Sequence, residues 1–275
     1  MGPGLVSDIV YLYGFVPAET ALPPSGLAGV ADRAVELWPF DGFAAAVARL
    51  PAEEYSTEVI EPRFSDLQWV AGQGVEHERV VAWFVDHAQI LPVRLLTLYS
   101  TRTALAADVE SRATMLRGQL ERFRGLREWD LKVSYRSEIL LENIGSVSDE
   151  IAGLDRQIAE AAPGKRFLLE RKRADQAKIE VASAARRLAA ALLEMLRPFA
   201  EQVETIPSPR DSAELPVVLN AALLVRLEQE AGLRAAIAAD AARLQPLGME
   251  LTFSGPWAPY RFLAAQNQDG STHGV

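Results

Sequence analysis

The stretch MELTFSGPWAPYRF, residues 249–262, predicts how this chain completes its fold. Its first half, 249–254, alternates apolar and polar side chains, and that period of two is typical of a strand with one buried face. Proline has no N–H to donate to a strand ladder, so we expect the strand to end at Gly255-Pro256. The residues before it predict a helix that stops at Gly248, with apolar positions at helical spacing: Leu233, Ile237, Ala241 and Leu244.

Trp257 and Tyr260 follow the predicted strand, and two prolines restrict the backbone around them. Each side chain combines a large apolar ring with a polar tip, a combination that is enriched in interface hot spots. The same two rings could equally close over the core as a C-terminal clasp. The sequence leaves both interpretations open, and Trp257 and Tyr260 are therefore candidates for partner binding.

The region before this last helix and strand is predicted to hold a long helical hairpin. From Ser148 to about Val203 the pattern indicates two long helices with a break at 162–165. Ser148 is the expected N-cap, because acidic residues follow it in the first turn. Pro198 is expected to end or kink the second helix. Strands are predicted on either side of the hairpin, at 130–136 and 216–224.

The first part of the chain predicts a second sheet. Residues 9–16 are apolar on both faces, which is typical of a central strand. Asp41-Gly42 separates two apolar runs and is a strong signal for a two-residue hairpin. The run 90–99 indicates a further strand, which should begin near Pro92 or lie at a sheet edge.

Two helices are expected in the same part of the chain. The first covers 65–89, and Gly72 and Gly74 are points at which it could split in two. The second is one helix from Leu105 to a stop near Gly125.

Composition restricts the function. The chain has 275 residues, 49% of them hydrophobic, and its net charge is −9. That charge disfavours a general nucleic-acid binder. The absence of cysteine excludes disulfides and thiolate chemistry. Met1–Ser7 lack the pattern of a signal peptide, and no apolar run approaches the ~20 residues that span a bilayer, so we expect a cytoplasmic protein without a membrane partner.

A search for catalytic or metal-binding motifs finds none. Of three histidines, His273 lies in a polar tail, and His77 and His87 lie ten residues apart on one predicted helix. That spacing separates them by roughly 80° around the axis and ~15 Å along it, so they cannot hold one metal ion. We expect both to be partly exposed, and we expect no catalytic residues, metal or cofactor.

Several blocks of the chain together resemble the gas vesicle protein F/L family. The stretch 249–262 is similar to the family's closing strand and its Gly-Pro-Trp-Pro-Pro-Tyr-like run, with Ala258 in place of the middle proline. Residues 9–16 resemble the family's opening strand, and 129–133 resemble the strand after its second long helix. The blocks occur in the family's order and span almost the whole chain.

A fourth block, 90–99, resembles a family segment in which proline and arginine precede Phe-Gly. Here Leu95-Leu96 stands in the place of Phe-Gly.

The resemblance implies an α+β fold of two domains. The N-terminal domain, 1–128, would be a modified ferredoxin-like sheet with helices. The C-terminal domain, 129–264, would be an α+β domain with the long helical hairpin. The polar composition of the last residues separately predicts a disordered tail at 265–275.

The resemblance also implies a function. Gas vesicles are protein shells built from a small, very hydrophobic subunit, gas vesicle protein A. Family members are accessory proteins needed to form the vesicle, and they bind that subunit as minor shell components or chaperone-like assembly factors. Other accessory proteins would be further partners, and the location would be the gas vesicle inside the cell.

Six residues are candidates for the partner-binding surface. Three aromatic residues cluster at the Asp41-Gly42 turn, and Arg94 is the one charged residue in an otherwise apolar strand. The full set is Trp38, Phe40, Phe43, Arg94, Trp257 and Tyr260. An alternative function is a small-molecule-binding or regulatory α+β module, which a pocket with convergent polar groups around Arg94 or His87 would favour.

Overall fold

The computed structural model describes residues 8–207 and 215–263. The chain divides into two compact units. The N-terminal unit runs to Arg127 and includes the segment from Pro256 onward, and the C-terminal unit is Glu128–Gly255. The tail predicted at 265–275 lies outside the described residues, and the domain limits 1–128 and 129–264 stay a prediction.

The N-terminal unit contains a five-stranded sheet. Its strands are β1 (Ile9–Pro17), β2 (Glu36–Phe40), β3 (Phe43–Leu50), β4 (Leu91–Pro92) and β5 (Leu98–Tyr99). β1 is central, because it pairs antiparallel with β3 on one side and with β4 and β5 on the other. β2 pairs with the far side of β3 through the predicted hairpin, in which Gly42 takes a φ of +84°. The predicted central strand and hairpin are therefore confirmed.

The strand expected over 90–99 is interrupted in the middle. β4 and β5 pair with opposite ends of β1, and Leu96 between them has a φ of +59°. A left-handed backbone is unfavourable for leucine and favourable for glycine. Leu95-Leu96 stands in the place of the Phe-Gly of the resembling family block, so the left-handed position here is occupied by leucine.

The helices of this unit lie on both faces of the sheet. They are α1 (Ala52–Tyr55), α2 (Thr57–Ile60), α3 (Leu67–His87), α4 (Arg102–Ser111) and α5 (Ala113–Arg122), with short 3-10 turns at Val30–Asp32 and Glu61–Ser65. α3 is continuous through Gly72 and Gly74. The single helix expected up to Gly125 is wrong, because the backbone leaves helical geometry at Arg112 and divides it into α4 and α5.

Side chains of β1 alternate between two cores. Tyr11 and Tyr13 pack with the apolar stripe of α3, in a cluster that includes Val81 and Phe84. Phe15 lies on the other face, where its ring meets Phe43 edge-on at 5.9 Å. A bulge at Tyr13 changes the register with β3, so that Tyr13 and Gly14 both face the α3 side.

The C-terminal unit contains a four-stranded sheet in the order β7-β8-β6-β9. These strands are β6 (Leu126–Tyr135), β7 (Ala200–Thr205), β8 (Val217–Arg226) and β9 (Met249–Trp257). Its helices are α6 (Ser137–Glu142), α7 (Ile144–Val147), α8 (Asp149–Glu160), α9 (Pro163–Leu196) and α10 (Glu230–Leu244), with 3-10 turns at Arg197–Phe199, Leu227–Gln229 and Gln245–Leu247. The buried side of β6, which carries Trp129, Leu131 and Val133, packs against α9 and α10.

The predicted helical hairpin is confirmed in α8 and α9. Ser148 caps α8 by accepting a hydrogen bond from Ile151 N, as predicted. Arg173 of α9 donates to both carboxylate oxygens of Asp155 in α8, with the shorter distance 2.5 Å. The 34 residues of α9 give it a length of about 51 Å at 1.5 Å per residue.

Two expectations for the ends of these elements were wrong. The second helix stops at Leu196, just before Pro198, as predicted, but Val203 lies on strand β7 and not on the helix, where it was expected. β9 continues through Gly255-Pro256 to Trp257, where we expected a break. β9 is an end strand of its sheet, and proline is tolerated on an edge that has no further strand to bond.

Two glycine substitutions test the sheet packing. A Cβ on Gly14 would overlap the backbone carbonyl oxygen of Leu91 and the side chain of Ile90, so β1 and β4 would have to separate. Gly72 is exposed in the middle of α3, and a Cβ there meets nothing within 4 Å. We expect Gly14→Ala to lower the free energy of unfolding by about 1–3 kcal/mol.

The matched control is Gly72→Ala, which should raise the free energy of unfolding by about 0.5–1 kcal/mol through helix propensity. Urea denaturation followed by circular dichroism measures both. Equal effects of the two substitutions would contradict the packing of β4 against Gly14.

Candidate partner-binding site

Trp38 is enclosed at the β2–β3 hairpin, with 6% of the residue exposed. Its indole Nε1 donates to Glu36 Oε2 at 2.8 Å. Two guanidinium groups lie over the ring, with the Cζ of Arg49 5.7 Å and the Cζ of Arg102 4.7 Å from its centroid. Cation–π contacts and the hydrogen bond together fix the ring. The Trp38 ring is therefore held rigidly in place and is not a freely exposed side chain.

Phe40 and Phe43 differ in exposure although both flank the turn. Their rings stack with centroids 5.6 Å apart. Phe43 is fully buried, whereas Phe40 is partly exposed. The buried Phe43 ring thus packs against the inner face of the Phe40 ring, and Phe40 is the member of this pair that a partner can reach.

A groove of about 420 Å³ lies beside these aromatic residues. One wall is the end of the hairpin, and the other is formed by α4 and the start of α5. The lining residues are Trp38, Pro39, Phe40, Asp41, Arg102, Ala106, Glu110 and Ala113. We call this the hairpin groove. It combines an aromatic wall, small alanine side chains and charges of both signs, which suits a segment with apolar side chains and a polar rim.

Arg94 lies in a different place, at the kink between β4 and β5. Its residue is exposed, and its side chain makes no ion pair with any described residue. It lines a second groove of about 410 Å³, whose apolar part includes Phe15, Leu91 and Met115. We call this the Arg94 groove.

Three polar side chains in the Arg94 groove bond to one another. The Tyr99 hydroxyl and the Arg112 guanidinium both donate to Asp108 Oδ2 at 2.5 Å. Burial and the adjacent Asp108 carboxylate raise the pKa of Tyr99 to about 12. The groove therefore holds convergent polar groups, but these three are largely occupied with one another.

Trp257 and Tyr260 occupy the closing segment of the N-terminal unit. Trp257 is half-buried, and its indole Nε1 has no hydrogen-bond partner among the described residues. Ala258, between them, is buried in the same core as the apolar stripe of α3, and Tyr260 packs against that core. This is the arrangement of a clasp, and whether either ring also contacts a partner stays a prediction.

The tyrosine of the clasp reaches a buried histidine. Tyr260 Oη lies 3.3 Å from His77 Nε2 and donates to Glu78 Oε2 at 3.4 Å. On the other side of the imidazole, Tyr11 Oη is 2.8 Å from Nδ1 and accepts a hydrogen bond from Leu96 N at 3.3 Å. Since Tyr11 accepts from the backbone, its own hydroxyl proton is free to go to Nδ1. A hydrogen-bond chain thus links the β4–β5 kink to the clasp through His77.

The expectation that His77 is partly exposed was wrong. The residue is 3% exposed, and its ring lies 5.7 and 5.6 Å from the rings of Tyr11 and Tyr13. Burial lowers the pKa of His77 to about 4, against a smaller opposing effect of the Val93 backbone. The sequence carried a signal that could have found it, because His77 precedes Val80, Val81 and Phe84 on the same helical stripe. His87 is exposed, as expected, and stacks on Trp83.

The six candidate residues therefore lie in three places within the N-terminal unit. Trp38, Phe40 and Phe43 meet at the hairpin groove, Arg94 lies at its own groove, and Trp257 and Tyr260 form the clasp. The aromatic pattern of the sequence did not indicate the opposite wall of the hairpin groove, which carries Arg102 and Ala106. Across residues 8–207 and 215–263, no cluster of three or more histidine, aspartate or glutamate side chains is arranged to hold a metal ion.

A further groove, of about 640 Å³, lies within the C-terminal unit and was not expected. Arg136 and Glu250 line it and form an ion pair at 2.5 Å. In the part of the chain that the structure describes, no helix has both the length and the apolar character needed to cross a membrane.

Comparison with known proteins identifies the family. The model of the family described as gas vesicle synthesis protein GvpL/GvpF matches residues 9–264. This chain therefore belongs to the GvpL/GvpF family of gas vesicle proteins. The resemblance drawn from the sequence blocks is confirmed.

Individual relatives agree with that assignment. The chain is 27% identical over 266 residues to gas vesicle protein L of Streptomyces sp. (strain CB03234), with 94% of each chain covered. It is 29% identical over 273 residues to gas vesicle protein L2 of Halobacterium salinarum (strain ATCC 700922 / JCM 11081 / NRC-1), covering 94% of this chain and 92% of the relative.

The fold resembles that of solved structures. The crystal structure of gas vesicle protein GvpF from Anabaena sp. PCC7120 superimposes with a TM-score of 0.65 at 18% identity, covering 93% of this chain and 98% of that one. GvpF from Microcystis aeruginosa gives 0.62 at 17% identity, with the same coverage. The predicted α+β class, with two antiparallel sheets and a long helix, is confirmed.

The buried histidine predicts a pH dependence of stability. The pKa of His77 is about 4 in the folded protein and about 6.5 when unfolded, so the unfolded chain binds more protons between these values. The contribution of His77 to the free energy of unfolding is complete above pH 6.5. It decreases by about 3 kcal/mol as the pH falls toward 4. Glu78 acts in the opposite direction, because burial raises its pKa.

We expect His77→Gln to remove most of this dependence, since glutamine stays neutral and its side-chain oxygen can still accept from Tyr11. The measurement is the free energy of unfolding from urea titrations at pH 4, 5, 6 and 7. The control is His87→Gln, an exposed substitution on the same helix, which should leave the wild-type slope unchanged. A His77→Gln variant that loses as much stability as the wild type between pH 7 and 4 would refute a neutral, buried His77.

Proposed function

We propose that this protein takes part in gas vesicle formation by binding the hydrophobic shell subunit, gas vesicle protein A, in the hairpin groove. It would act as a chaperone-like assembly factor or a minor shell component, by binding and not by catalysis. The place of action would be the growing gas vesicle inside the cell. The observation that carries the proposal is the family match over residues 9–264, which spans both units.

A small, very hydrophobic subunit needs a partner before it enters a shell, since exposed apolar strands associate with one another. The hairpin groove offers an aromatic wall at Trp38 and Phe40 and a facing wall with Ala106 and Ala113. Small side chains on one wall leave room for the apolar side chains of a bound segment. Arg102 and Glu110 at the same groove provide hydrogen bonds for its polar groups.

The edge of β2 is poorly suited to pairing with a further strand. In a two-residue hairpin the backbones of the two residues that flank the turn, here Phe40 and Phe43, hydrogen-bond to each other. The backbone groups of the next pair, Pro39 and Ala44, point away from each other, so those of Pro39 lie at the outer edge of β2. Pro39 has no N–H to offer there. Of the two binding modes, strand addition and docking of side chains in a groove, the structure supports docking in the groove.

The Arg94 groove supports a second candidate function, a small-molecule-binding or regulatory module. Its supporting observation is the set of polar groups around Arg94, Tyr99, Asp108 and Arg112. The bonding of the last three to one another weakens that candidate, because the Tyr99 hydroxyl, the Asp108 Oδ2 oxygen and the Arg112 Nη2 nitrogen are already engaged.

The test is co-expression of tagged protein with gas vesicle protein A, followed by affinity purification and quantification of the soluble shell subunit. Ala106 is partly exposed in the groove, so Ala106→Arg fills the groove without removing a core side chain. We expect Ala106→Arg and Phe40→Ala to lower the co-purified subunit by about tenfold or more, as is usual for the central residues of an interface.

Met115→Arg is the matched control, since it places the same side chain in the Arg94 groove. Circular dichroism melting confirms that each variant is folded. A folded Ala106→Arg variant that retains full binding would exclude the hairpin groove, and loss of binding in Met115→Arg alone would assign the site to the Arg94 groove. If the wild-type protein does not bind gas vesicle protein A, the proposed partner is wrong.

A further inference from the structure

The exposed end of the helical hairpin carries an unusual combination of side chains. Phe167 and Leu168 in the first two turns of α9 are each 66% exposed. Each has a basic residue one turn further on, Arg171 after Phe167 and Lys172 after Leu168. We call this surface the basic tip, and its residues are Lys165, Arg166, Phe167, Leu168, Arg171 and Lys172.

The basic tip does not serve the stability of the helix. Lys165 and Arg166 lie near the N-terminus of α9, where the helix dipole disfavours positive charge, and the first turn has no acidic residue. Arg173, the next basic residue, differs because it pairs with Asp155 inside the hairpin. Glu170 is the one acidic residue within 165–172. The tip thus exposes two large apolar side chains and four basic ones at the end of the helix where positive charge is disfavoured.

A surface of opposite character lies on the N-terminal unit. Acidic residues Glu53, Glu54, Glu58 and Glu61 on α1, α2 and the following turn are all exposed. Directly after them come Phe64, 49% exposed, and Leu67, 79% exposed. We call this surface the acidic ledge, and its residues are Glu53, Glu54, Glu58, Glu61, Phe64 and Leu67. The one basic residue within 53–67, Arg63, lies over the ring of Trp69.

The two surfaces match each other in both charge and apolar content. The tip has four basic and two apolar side chains, and the ledge has four acidic and two apolar ones. Large exposed apolar side chains beside charges of one sign mark interaction sites. Because each chain carries both surfaces, we propose that this protein self-associates head to tail, with the basic tip of one copy on the acidic ledge of a second copy.

A contact between two different surfaces leaves one of each kind free after every addition. Such a heterologous contact produces chains or rings, whereas a contact of one surface with itself stops at a dimer. The proposal therefore predicts association beyond the dimer as concentration rises. It also predicts weakening by salt, since the charges at both surfaces are exposed and screened.

The first measurement is sedimentation velocity of the purified full chain over a wide range of protein concentration, in low and in high sodium chloride. We expect the weight-average sedimentation coefficient to rise with concentration in low salt and to return to the monomer value in high salt. A protein that stays monomeric at the highest concentration in low salt overturns the proposal, and so does one that stops at a dimer.

Charge reversal identifies the surfaces. The tip variant, Lys165→Glu with Lys172→Glu, and the ledge variant, Glu54→Lys with Glu58→Lys, should each weaken self-association by about tenfold or more. Mixed together, the two variants should form a heterodimer and stop there, because one functional tip and one functional ledge remain.

A test variant and a matched control variant examine the apolar part of the contact. Phe167→Ser should weaken association, whereas Ile179→Ser, at a residue 70% exposed on the same helix but outside the tip, should not. Lys178→Glu controls for charge reversal on α9 away from the tip. Equal loss from tip and control variants, or no heterodimer in the mixture, would show that another surface mediates association. None of these measurements uses the shell subunit, so they stand apart from the test of the hairpin groove.

Discussion

The N-terminal unit depends on the burial of strand β1 on both faces and both edges. β1 brings the hydroxyl groups of Tyr11 and Tyr13 into the core, and a buried hydroxyl without a partner is costly. The Tyr11 hydroxyl bonds to His77 and to the Leu96 backbone, and the Tyr13 hydroxyl accepts from Val30 N at 2.7 Å. These bonds tie α3, the β4–β5 kink and the loop before β2 to one strand. The clasp joins the same network, because Tyr260 lies on the other nitrogen of His77.

The two N-terminal grooves follow from this arrangement. A central strand with helices on both sides leaves open space where the covering helices end, and α4 and α5 divide at Arg112. The hairpin groove lies between the end of the β2–β3 hairpin and α4, and its aromatic wall is held rigid by the guanidinium groups of Arg49 and Arg102. Rigid aromatic side chains lose little conformational entropy on binding, which favours them as contacts for an apolar partner. The Arg94 groove differs, because Tyr99, Asp108 and Arg112 bond to one another there.

In the C-terminal unit, one long helix has two roles. The second half of α9 is buried against the sheet through residues such as Ala184 and Leu192, and its first half packs against α8 on one side. No element within residues 8–207 and 215–263 covers the remaining side of that first half, so Phe167 and Leu168 stay exposed there beside their basic neighbours. A helix about 51 Å long cannot be covered along its whole length by a sheet of four short strands. Because of this difference in length, the basic tip stays exposed. In the proposed head-to-tail contact, it is the surface that binds the acidic ledge of a second copy.

The sequence by itself determined the α+β class, the family, the central strand β1, the Asp41-Gly42 hairpin, the capped helical hairpin and the stop at Gly248 after α10. These features arise from local rules of periodicity, turn chemistry and capping, which act within a few residues. It also indicated the aromatic residues of the hairpin groove. Tertiary structure alone decided that β9 continues through Pro256 at a sheet edge, that Val203 lies on a strand, and that Arg102 and Ala106 face the hairpin. It also decided that His77 is buried and neutral. Each of these depends on residues far apart in the chain, such as Tyr11 and Tyr260 on either side of His77, and no local pattern records which distant groups will meet.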